Sequence, residues 1–211
     1  MRMLPLVVVS AAAWGQGLYP GVRVGVPLTI YFDTGRAQVS NGSAEYSAAT
    51  RRYTVGVSLE WQFSGSLGLE LDAMYKRMGY VGIIESATER IAYDSKGDSW
   101  EFPLLVKYRF GGRVRPYVAG GPTLRYIGPI RALGERTQGA VRTPIDTTEP
   151  SDLRKRFYPG LAAAAGIELG HGKLRWLPEF RYTRWTANIA GPSGPLRFNP
   201  NQAEFLLGLR F

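Results

Sequence analysis

The 211-residue sequence predicts an all-β fold, an eight-stranded antiparallel up-and-down transmembrane β-barrel. Three observations predict it: apolar and polar residues alternate along eight segments, the connections between segments alternate in length, and aromatic residues collect at both ends of the apolar faces. Period-two alternation is typical of strands, because successive side chains of a strand point to opposite faces.

The N-terminal residues are typical of a secretory signal peptide. Arg2 supplies a positive start, Leu4 to Val9 an apolar run, and the segment from Ser10 to Gly15 is mostly small residues. Cleavage is expected after Ala13 or Gly15. The run is shorter than the roughly 20 residues of a membrane-spanning helix, so it is not expected to span a membrane. The alternative to a signal peptide is a buried N-terminal strand. The predicted organisation is a signal peptide over residues 1–15 and one barrel domain over residues 16–211.

Eight segments carry the alternation that predicts the strands. They are Gly21–Phe32, Tyr53–Phe63, Leu67–Tyr75, Trp100–Phe110, Val114–Tyr126, Phe157–Leu169, Leu174–Tyr182 and Asn201–Phe211. The fifth segment is the least regular, because Pro116 and Pro122 each lack the backbone donor of a ladder. In the last segment only Leu206 places an apolar residue on the polar face.

The connections between these segments are alternately long and short. Long ones are predicted over residues 33–52, 76–99, 127–156 and 184–200, and short ones over 64–66, 111–113 and 170–173. The Gly111-Gly112 pair suits the positive φ angles of a tight hairpin. Because the strand count is even, both termini fall on the side of the short turns, as in transmembrane barrels.

The aromatic residues of the apolar face separate into two groups. One group lies at the long-loop ends and comprises Phe32, Tyr53, Tyr75, Trp100, Tyr126, Phe157 and Tyr182; the other lies at the short-turn ends and comprises Phe63, Tyr108, Phe110, Trp176 and Phe211. Aromatic rings settle at membrane interfaces, whereas a soluble core has no reason to separate them in this way. The pattern favours a barrel with its apolar face outside over a soluble ligand-binding barrel.

The polar face then lines the interior and carries many charges. The predicted interior network comprises Arg23, Glu60, Glu70, Asp72, Lys76, Glu101, Lys107, Arg109, Arg115, Arg125, Glu168, Glu179, Arg181, Glu204 and Arg210. Eight strands leave an interior only just wide enough for side chains, so opposite charges are expected to pair. We expect a salt-bridged plug, and the alternative is a narrow channel.

These features resemble those of the small bacterial outer-membrane β-barrel proteins, which include porin-family barrels and outer-membrane proteins of the A, X and W types. The resemblance covers nearly the whole mature chain and implies the outer membrane of a Gram-negative-type bacterium. The residues Phe205, Leu207, Leu209 and Phe211 resemble the C-terminal signal that the outer-membrane assembly machinery reads. The resemblance says little about activity, because one fold supports many functions.

Some relatives in these families are enzymes that act on envelope lipids or peptides with a rim histidine. Here the single histidine, His171, falls in a predicted periplasmic turn, so no catalytic site and no enzyme are predicted. Without cysteine, no metal site or cofactor is predicted. Asp94 and Asp98, with Glu85 or Glu89, could hold calcium, but a solvated acidic loop is the preferred interpretation. The Asn41-Gly42-Ser43 sequence is interpreted as a turn rather than a glycosylation acceptor.

The formal net charge of +9 is compatible with nucleic acid, anionic lipid or phosphorylated glycolipid. Nucleic acid is not expected, because the basic residues are dispersed. Expected partners are outer-membrane lipid and lipopolysaccharide, whose phosphates would meet a basic outer rim of Arg51, Arg52, Arg77, Arg154, Lys155, Arg156 and Arg184. We predict a monomer that acts as a structural or surface-interaction protein through four extracellular loops; the alternatives are a solute channel and an envelope-lipid enzyme.

Overall fold

The computed structural model describes residues 17–33, 35–39, 42–49, 53–112, 114–148, 156–170, 174–186 and 197–211. These residues form thirteen strands: β1 (Gly17–Pro27), β2 (Phe32–Asp33), β3 (Gly35–Val39), β4 (Gly42–Ala48), β5 (Thr54–Gln62), β6 (Leu67–Ser86), β7 (Glu89–Arg109), β8 (Arg115–Gln138), β9 (Val141–Thr148), β10 (Phe157–Glu168), β11 (Arg175–Trp185), β12 (Arg197–Phe198) and β13 (Asn201–Arg210). Within these residues, no helix has the length and apolar character needed to cross a membrane. The predicted signal peptide lies outside them.

Eight strands close into an antiparallel ring in the order β1, β5, β6, β7, β8, β10, β11, β13 and back to β1. The first and last strands meet directly, with Val22 opposite Leu209 and Val24 opposite Leu207. The backbone N–H of Phe211 donates to the carbonyl of Pro20 over 3.0 Å. Closure leaves no free edge in the ring, as a strand structure in a lipid bilayer requires. The predicted eight-stranded barrel is confirmed.

The outward face of the ring is apolar and the inward face is polar. Valine and leucine side chains are exposed along the wall, with 58% of Val57 and 63% of Leu161 accessible. Such continuous apolar rows are unfavourable against water and favourable against lipid. The barrel therefore has the polarity of a membrane barrel, the reverse of that of a soluble one.

The predicted aromatic groups form belts at both ends of the ring, with one exception. At the long-loop end, Tyr75 packs against Trp100 with ring centroids 5.3 Å apart, and Tyr126 against Phe157 at 5.1 Å. The prediction for Phe32 is wrong: its side chain is 1% exposed and lies inside the barrel. The reason is that β1 ends at Pro27, five residues before the predicted end of that strand, and the chain then turns inward.

Three of the predicted long loops are mostly strand, so the prediction of loops there is wrong; the segment 33–52 contains β3 and β4. The segment 76–99 is a hairpin in which β6 and β7 continue to Ser86 and Glu89, and β8 continues to Gln138 before β9 returns beside it. Gly139 makes the second turn with φ +58°. With β3 and β4 these extensions form a sheet in the order β3, β4, β6, β7, β8, β9, which we call the projecting sheet.

The tight turns on the opposite side agree with the prediction where the structure describes them. Gly112 has φ +130°, a conformation that favours glycine in the hairpin between β7 and β8. In the turn between β5 and β6, the Ser64 hydroxyl oxygen accepts the backbone N–H of Leu67 over 2.9 Å. We call this end of the barrel the lower end and the end of the projecting sheet the upper end.

Candidate functional site

Fourteen charged side chains are buried in the barrel interior, and they come from all eight ring strands. The basic residues are Arg23, Lys76, Lys107, Arg109, Arg125, Arg181 and Arg210, and the acidic residues are Glu60, Glu70, Asp72, Glu101, Glu168, Glu179 and Glu204. Strand alternation turns these positions inward together. An unpaired buried charge costs several kcal/mol, and equal numbers of the two signs allow every charge to be compensated. The charges fall into a middle, an upper and a lower layer.

The middle layer is organised around Arg23. Its Nη2 lies 2.5 Å from Glu70 Oε1, its Nη1 3.1 Å from Glu179 Oε2, and its Nε 3.3 Å from Asp72 Oδ1. Arg181 reaches the same acids from β11, with Nη1 2.7 Å from Asp72 Oδ2 and Nη2 2.7 Å from Glu179 Oε1. Each guanidinium therefore bridges carboxylates from different strands.

Lys107 completes the middle layer and links it to the lower one. Its ammonium pairs with Glu70 and lies 3.2 Å from Glu60 Oε2. It also sits 4.6 Å above the ring of Tyr117, whose hydroxyl donates to Glu179 over 2.8 Å. The middle layer thus holds three bases and three acids.

The upper layer pairs two bases with two acids. Lys76 Nζ lies 2.7 Å from Glu101 Oε2 and 3.0 Å from Glu204 Oε2. Arg125 Nη2 lies 2.6 Å from Glu101 Oε1. The hydroxyl of Thr54 donates to Glu204 over 3.1 Å. Each carboxylate here has a cation and the layer has no net charge.

The lower layer is a box of alternating charges. Arg109 donates from Nε to Glu168 Oε2 over 2.9 Å and pairs through Nη2 with Glu60. Arg210 contacts the same two acids, with Nη1 3.1 Å from Glu60 Oε1 and Nη2 2.9 Å from Glu168 Oε1. This layer is also neutral.

Arg115, predicted in the interior, lies instead at the lower mouth. Its side chain is 26% exposed, and its Nη2 donates to the Gly65 carbonyl over 2.8 Å. Arg175, which was not predicted, holds the matching position on β11, where its Nη1 donates to the Gly170 carbonyl over 2.8 Å. These two arginines lie 3.6 Å and 3.7 Å from Glu168 Oε1.

An apolar layer covers the charges at the upper end. We call Tyr31, Phe32, Tyr158, Trp185 and Phe198 the aromatic lid; all five are at most 5% exposed. Two short strands form part of the lid, because β2 pairs with β12 and sets Phe32 opposite Phe198.

The lid is joined to the charge network through Arg125. The guanidinium carbon of Arg125 lies 3.7 Å from the ring centroid of Trp185, 4.4 Å from that of Tyr31 and 4.8 Å from that of Phe198. Cation–π contacts of this kind are strongest when the cation is desolvated. Tyr31 also donates to Ser99 Oγ over 2.7 Å.

The predicted interior network contains the buried charges but not the residues of the aromatic lid or several neutral partners of the charges. Thr54, Gln202 and Tyr117 all lie on the inward parity of their strands, so the alternation could have identified them. Trp185 shares that parity with Arg181. Tyr31 shares the parity of Arg23 in the predicted segment Gly21–Phe32, whereas for Phe198 the sequence gives no such signal, because Phe198 lies on no strand of the ring.

The predicted basic outer rim is only partly described. Arg77, Arg156 and Arg184 are exposed near the upper aromatic belt. Arg184 Nη1 donates to Asn201 Oδ1 over 3.5 Å, an oxygen that also accepts the Tyr182 hydroxyl over 2.7 Å. The four remaining residues, Arg51, Arg52, Arg154 and Lys155, lie outside the described residues.

The predicted assembly signal lies on the lipid-facing side of β13. Phe205 and Phe211 are each 48% exposed, and Leu207 is exposed between them. Leu209 lies opposite Val22 in the ladder that closes the ring. These side chains form one outward row, as the period-two pattern requires.

The acidic residues considered for calcium are each engaged elsewhere. Asp94 Oδ2 lies 2.5 Å from Lys96, Glu85 Oε1 3.1 Å from Arg90, and Glu89 Oε1 2.9 Å from Arg136. Asp98 accepts the hydroxyl of Tyr75 over 2.6 Å. In the described part of the chain, no three acidic, histidine or cysteine side chains are placed to share a metal ion. His171 and Asn41 lie outside that part.

Comparison with known proteins identifies a family. The model of a family described as "Outer membrane protein beta-barrel domain" matches residues 14–184. No curated protein matches the sequence significantly.

Several solved structures are similar to the chain. Neisserial surface protein A is 16% identical, with 93% of this chain and 98% of that chain covered and a TM-score of 0.45. The outer membrane protein OprG from Pseudomonas aeruginosa is 15% identical, with coverage of 93% and 96% and a TM-score of 0.46. Ail, the attachment invasion locus protein of Yersinia pestis, is 13% identical, with coverage of 92% and 99% and a TM-score of 0.40.

Proposed function

The chain belongs to the family of outer-membrane protein β-barrel domains, and from this premise we propose that it is a non-enzymatic barrel with a closed interior that acts as a structural or surface-interaction protein. It is a transmembrane β-barrel of the bacterial outer membrane. The lower end faces the periplasm and the projecting sheet faces outside, because short turns are periplasmic in such barrels.

The observation that carries the proposal is the filled interior. Seven bases and seven acids meet in three neutral layers, and the aromatic lid covers them on the outer side. A cavity beside Lys76, Tyr31 and Glu204 has a volume of about 20 Å³, enough for one water molecule. This cavity is too narrow to pass a hydrated ion or solute.

Conductance in planar bilayers tests the closed interior. The mature chain, folded in detergent and checked by its heat-modifiable gel mobility, is expected to insert without discrete current steps. A general diffusion porin inserted under the same conditions serves as the positive control. Reproducible unitary steps from the folded chain would refute the closed interior and favour the narrow channel.

A role at the cell surface is supported by the ordered projecting sheet. Ion pairs cross its strands, with Arg36 Nη2 2.8 Å from Glu45 Oε2 and Arg131 Nη2 2.6 Å from Asp146 Oδ2. The sheet extends β6, β7 and β8 beyond the upper aromatic belt, so it presents a formed surface outside the membrane.

We also propose that the basic outer rim contacts lipopolysaccharide phosphates. Arg77 and Arg184 follow Tyr75 and Tyr182 by two residues on the outward face, the level at which outer-leaflet phosphates lie. Arginine suits this contact because its guanidinium can bind phosphate through two hydrogen bonds. Thermal unfolding in vesicles tests this contact. In vesicles that contain lipopolysaccharide, the melting temperature of R77Q/R184Q should lie below that of the wild-type chain. In phosphatidylcholine vesicles the two proteins should melt at the same temperature. Equal behaviour in both lipids would contradict the contact.

The outward row ending at Phe211 supports recognition by the outer-membrane assembly machinery. We expect F211N to reduce the yield of folded barrel in membranes that contain the machinery. Spontaneous folding into detergent should change little, because Phe211 is half exposed and fills no interior space. Equal losses in both settings would assign the residue to barrel stability instead.

A further inference from the structure

The lower mouth of the barrel carries an excess of positive charge. The three interior layers are each neutral, so the interior charges cancel before the two mouth arginines are counted. Arg115 and Arg175 then add two positive charges, both at the periplasmic opening. Both lean towards Glu168, whose carboxylate is already bound by Arg109 and Arg210.

Several donors around this opening are unused. Arg109 Nη1 and Arg210 Nε have no hydrogen-bond partner in the described part of the chain, although both side chains are more than nine-tenths buried. Glu168 cannot satisfy four guanidiniums, since its nearest contacts to Arg115 and Arg175 are 3.6 Å and 3.7 Å, too long for hydrogen bonds. Beyond the two backbone carbonyls that Arg115 and Arg175 reach, the described residues offer too few acceptors for the arginine donors at this opening.

The glycine at position 68 packs directly against the Arg109 guanidinium. Gly68 faces inward at the lower end of β6, and a Cβ built there would lie 3.2 Å from Arg109 Nη1 and 3.3 Å from a Glu60 oxygen. Any larger residue would crowd that nitrogen. Glycine at this position therefore keeps the buried Arg109 guanidinium uncrowded directly beneath the mouth.

We propose that the lower mouth is a binding site for a phosphate-class oxyanion, held by Arg115 and Arg175 with Arg109 and Arg210 behind them. A phosphate group carries close to two negative charges near neutral pH and offers several acceptor oxygens. It matches both the charge excess and the unused donors, and arginine binds phosphate through paired hydrogen bonds. The group is supplied by free phosphate in the periplasm or by a phospholipid headgroup of the inner leaflet.

Calorimetric titration of inorganic phosphate into the folded mature chain tests the site. The protein is kept in an uncharged maltoside detergent at constant chloride concentration, which screens non-specific attraction. Saturable binding is expected, and R115Q/R175Q should weaken it about tenfold or more because charge-assisted hydrogen bonds are lost. The matched control R131Q/R142Q removes two arginines from the projecting sheet and should bind as the unchanged chain does.

Further measurements distinguish free phosphate from a lipid headgroup and cover the case in which the double variant does not fold. If R115Q/R175Q fails the heat-modifiable gel test, the single variants R115Q and R175Q and the variant G68A replace it. If inorganic phosphate binds both in maltoside and in phospholipid nanodiscs, the natural ligand is free phosphate. If it binds in maltoside but not in nanodiscs, a phospholipid headgroup already occupies the lower mouth. Absent saturable binding in maltoside, or equal weakening in the control, overturns the proposal.

Discussion

Replacing Arg23 with methionine removes the cation that organises the middle layer. Arg23 is 2% exposed and contacts Glu70, Asp72 and Glu179 within 3.3 Å. Methionine keeps much of the length and apolar character of the arginine stem. After the change, three acids share only Arg181 and Lys107, so one negative charge remains uncompensated.

The magnitude follows from that charge count. Removing one partner of a buried ion pair costs about 3–5 kcal/mol, because the remaining charge is left without compensation. D72N alone should cost a similar amount for the opposite reason, since the layer then keeps three bases against two acids. The double variant R23M/D72N restores neutrality, so its loss should be about 2 kcal/mol or more below the sum of the single losses.

Urea unfolding of the mature chain in phospholipid vesicles measures these differences. Trp61, Trp100 and Trp176 face the lipid and report insertion by fluorescence, and free energies follow from linear extrapolation. The exposed pair Arg131–Asp146 lies in the projecting sheet, outside the ring, and provides the control double-mutant cycle; its coupling in global unfolding is expected to be much smaller than that of the Arg23–Asp72 cycle. Strictly additive losses in the Arg23–Asp72 cycle would refute the neutral-layer reasoning.

Three further predictions concern the wall, the lid and the projecting sheet. G121A should destabilise the barrel, because its Cβ would overlap a backbone carbonyl on β7, whereas G120A, whose Cβ has 3.6 Å of clearance, should be tolerated; urea unfolding compares them. F198A empties the centre of the aromatic lid and should cost about 3–5 kcal/mol in the same assay without creating conductance, because the charged layers remain. The hydrogen bond from Arg131 lowers the pKa of Asp146. The stabilisation that this ion pair gives the β8–β9 hairpin is therefore present above the usual aspartate pKa and is lost as the pH falls through the lowered pKa. Amide exchange of β9 should accelerate at that acid pH, and in D146N it should be faster already at neutral pH.

Each of these predictions has an outcome that contradicts it. Equal free energies of unfolding for G121A and G120A would show that the β7 and β8 backbones can move apart at position 121 without loss of stability. Current steps from F198A would make the lid, and not the charge layers, the barrier. If the amide exchange rate of β9 changes neither at acid pH nor in D146N, the Arg131–Asp146 ion pair does not stabilise the hairpin.

The number of ring strands, the face of each strand and the identity of the interior charges could be predicted from the sequence. These properties are local, because alternation with period two assigns a side to each residue without reference to any other strand. Inward positions such as Arg23 and Glu179 were found in this way, although they lie 156 residues apart. The outward row from Phe205 to Phe211 follows from the same alternation.

The tertiary structure decided what the strands do beyond the membrane and which charges meet. The charged segments after Lys76 and Ile127 look like loops in isolation, but pairing with neighbouring strands extends them as the projecting sheet. The relative stagger of strands around the ring places Arg23 beside Glu70, Asp72 and Glu179, and no single strand encodes that stagger. The aromatic lid likewise depends on β2 and β12, which are distant in sequence and meet only because the closed ring brings their ends over one opening.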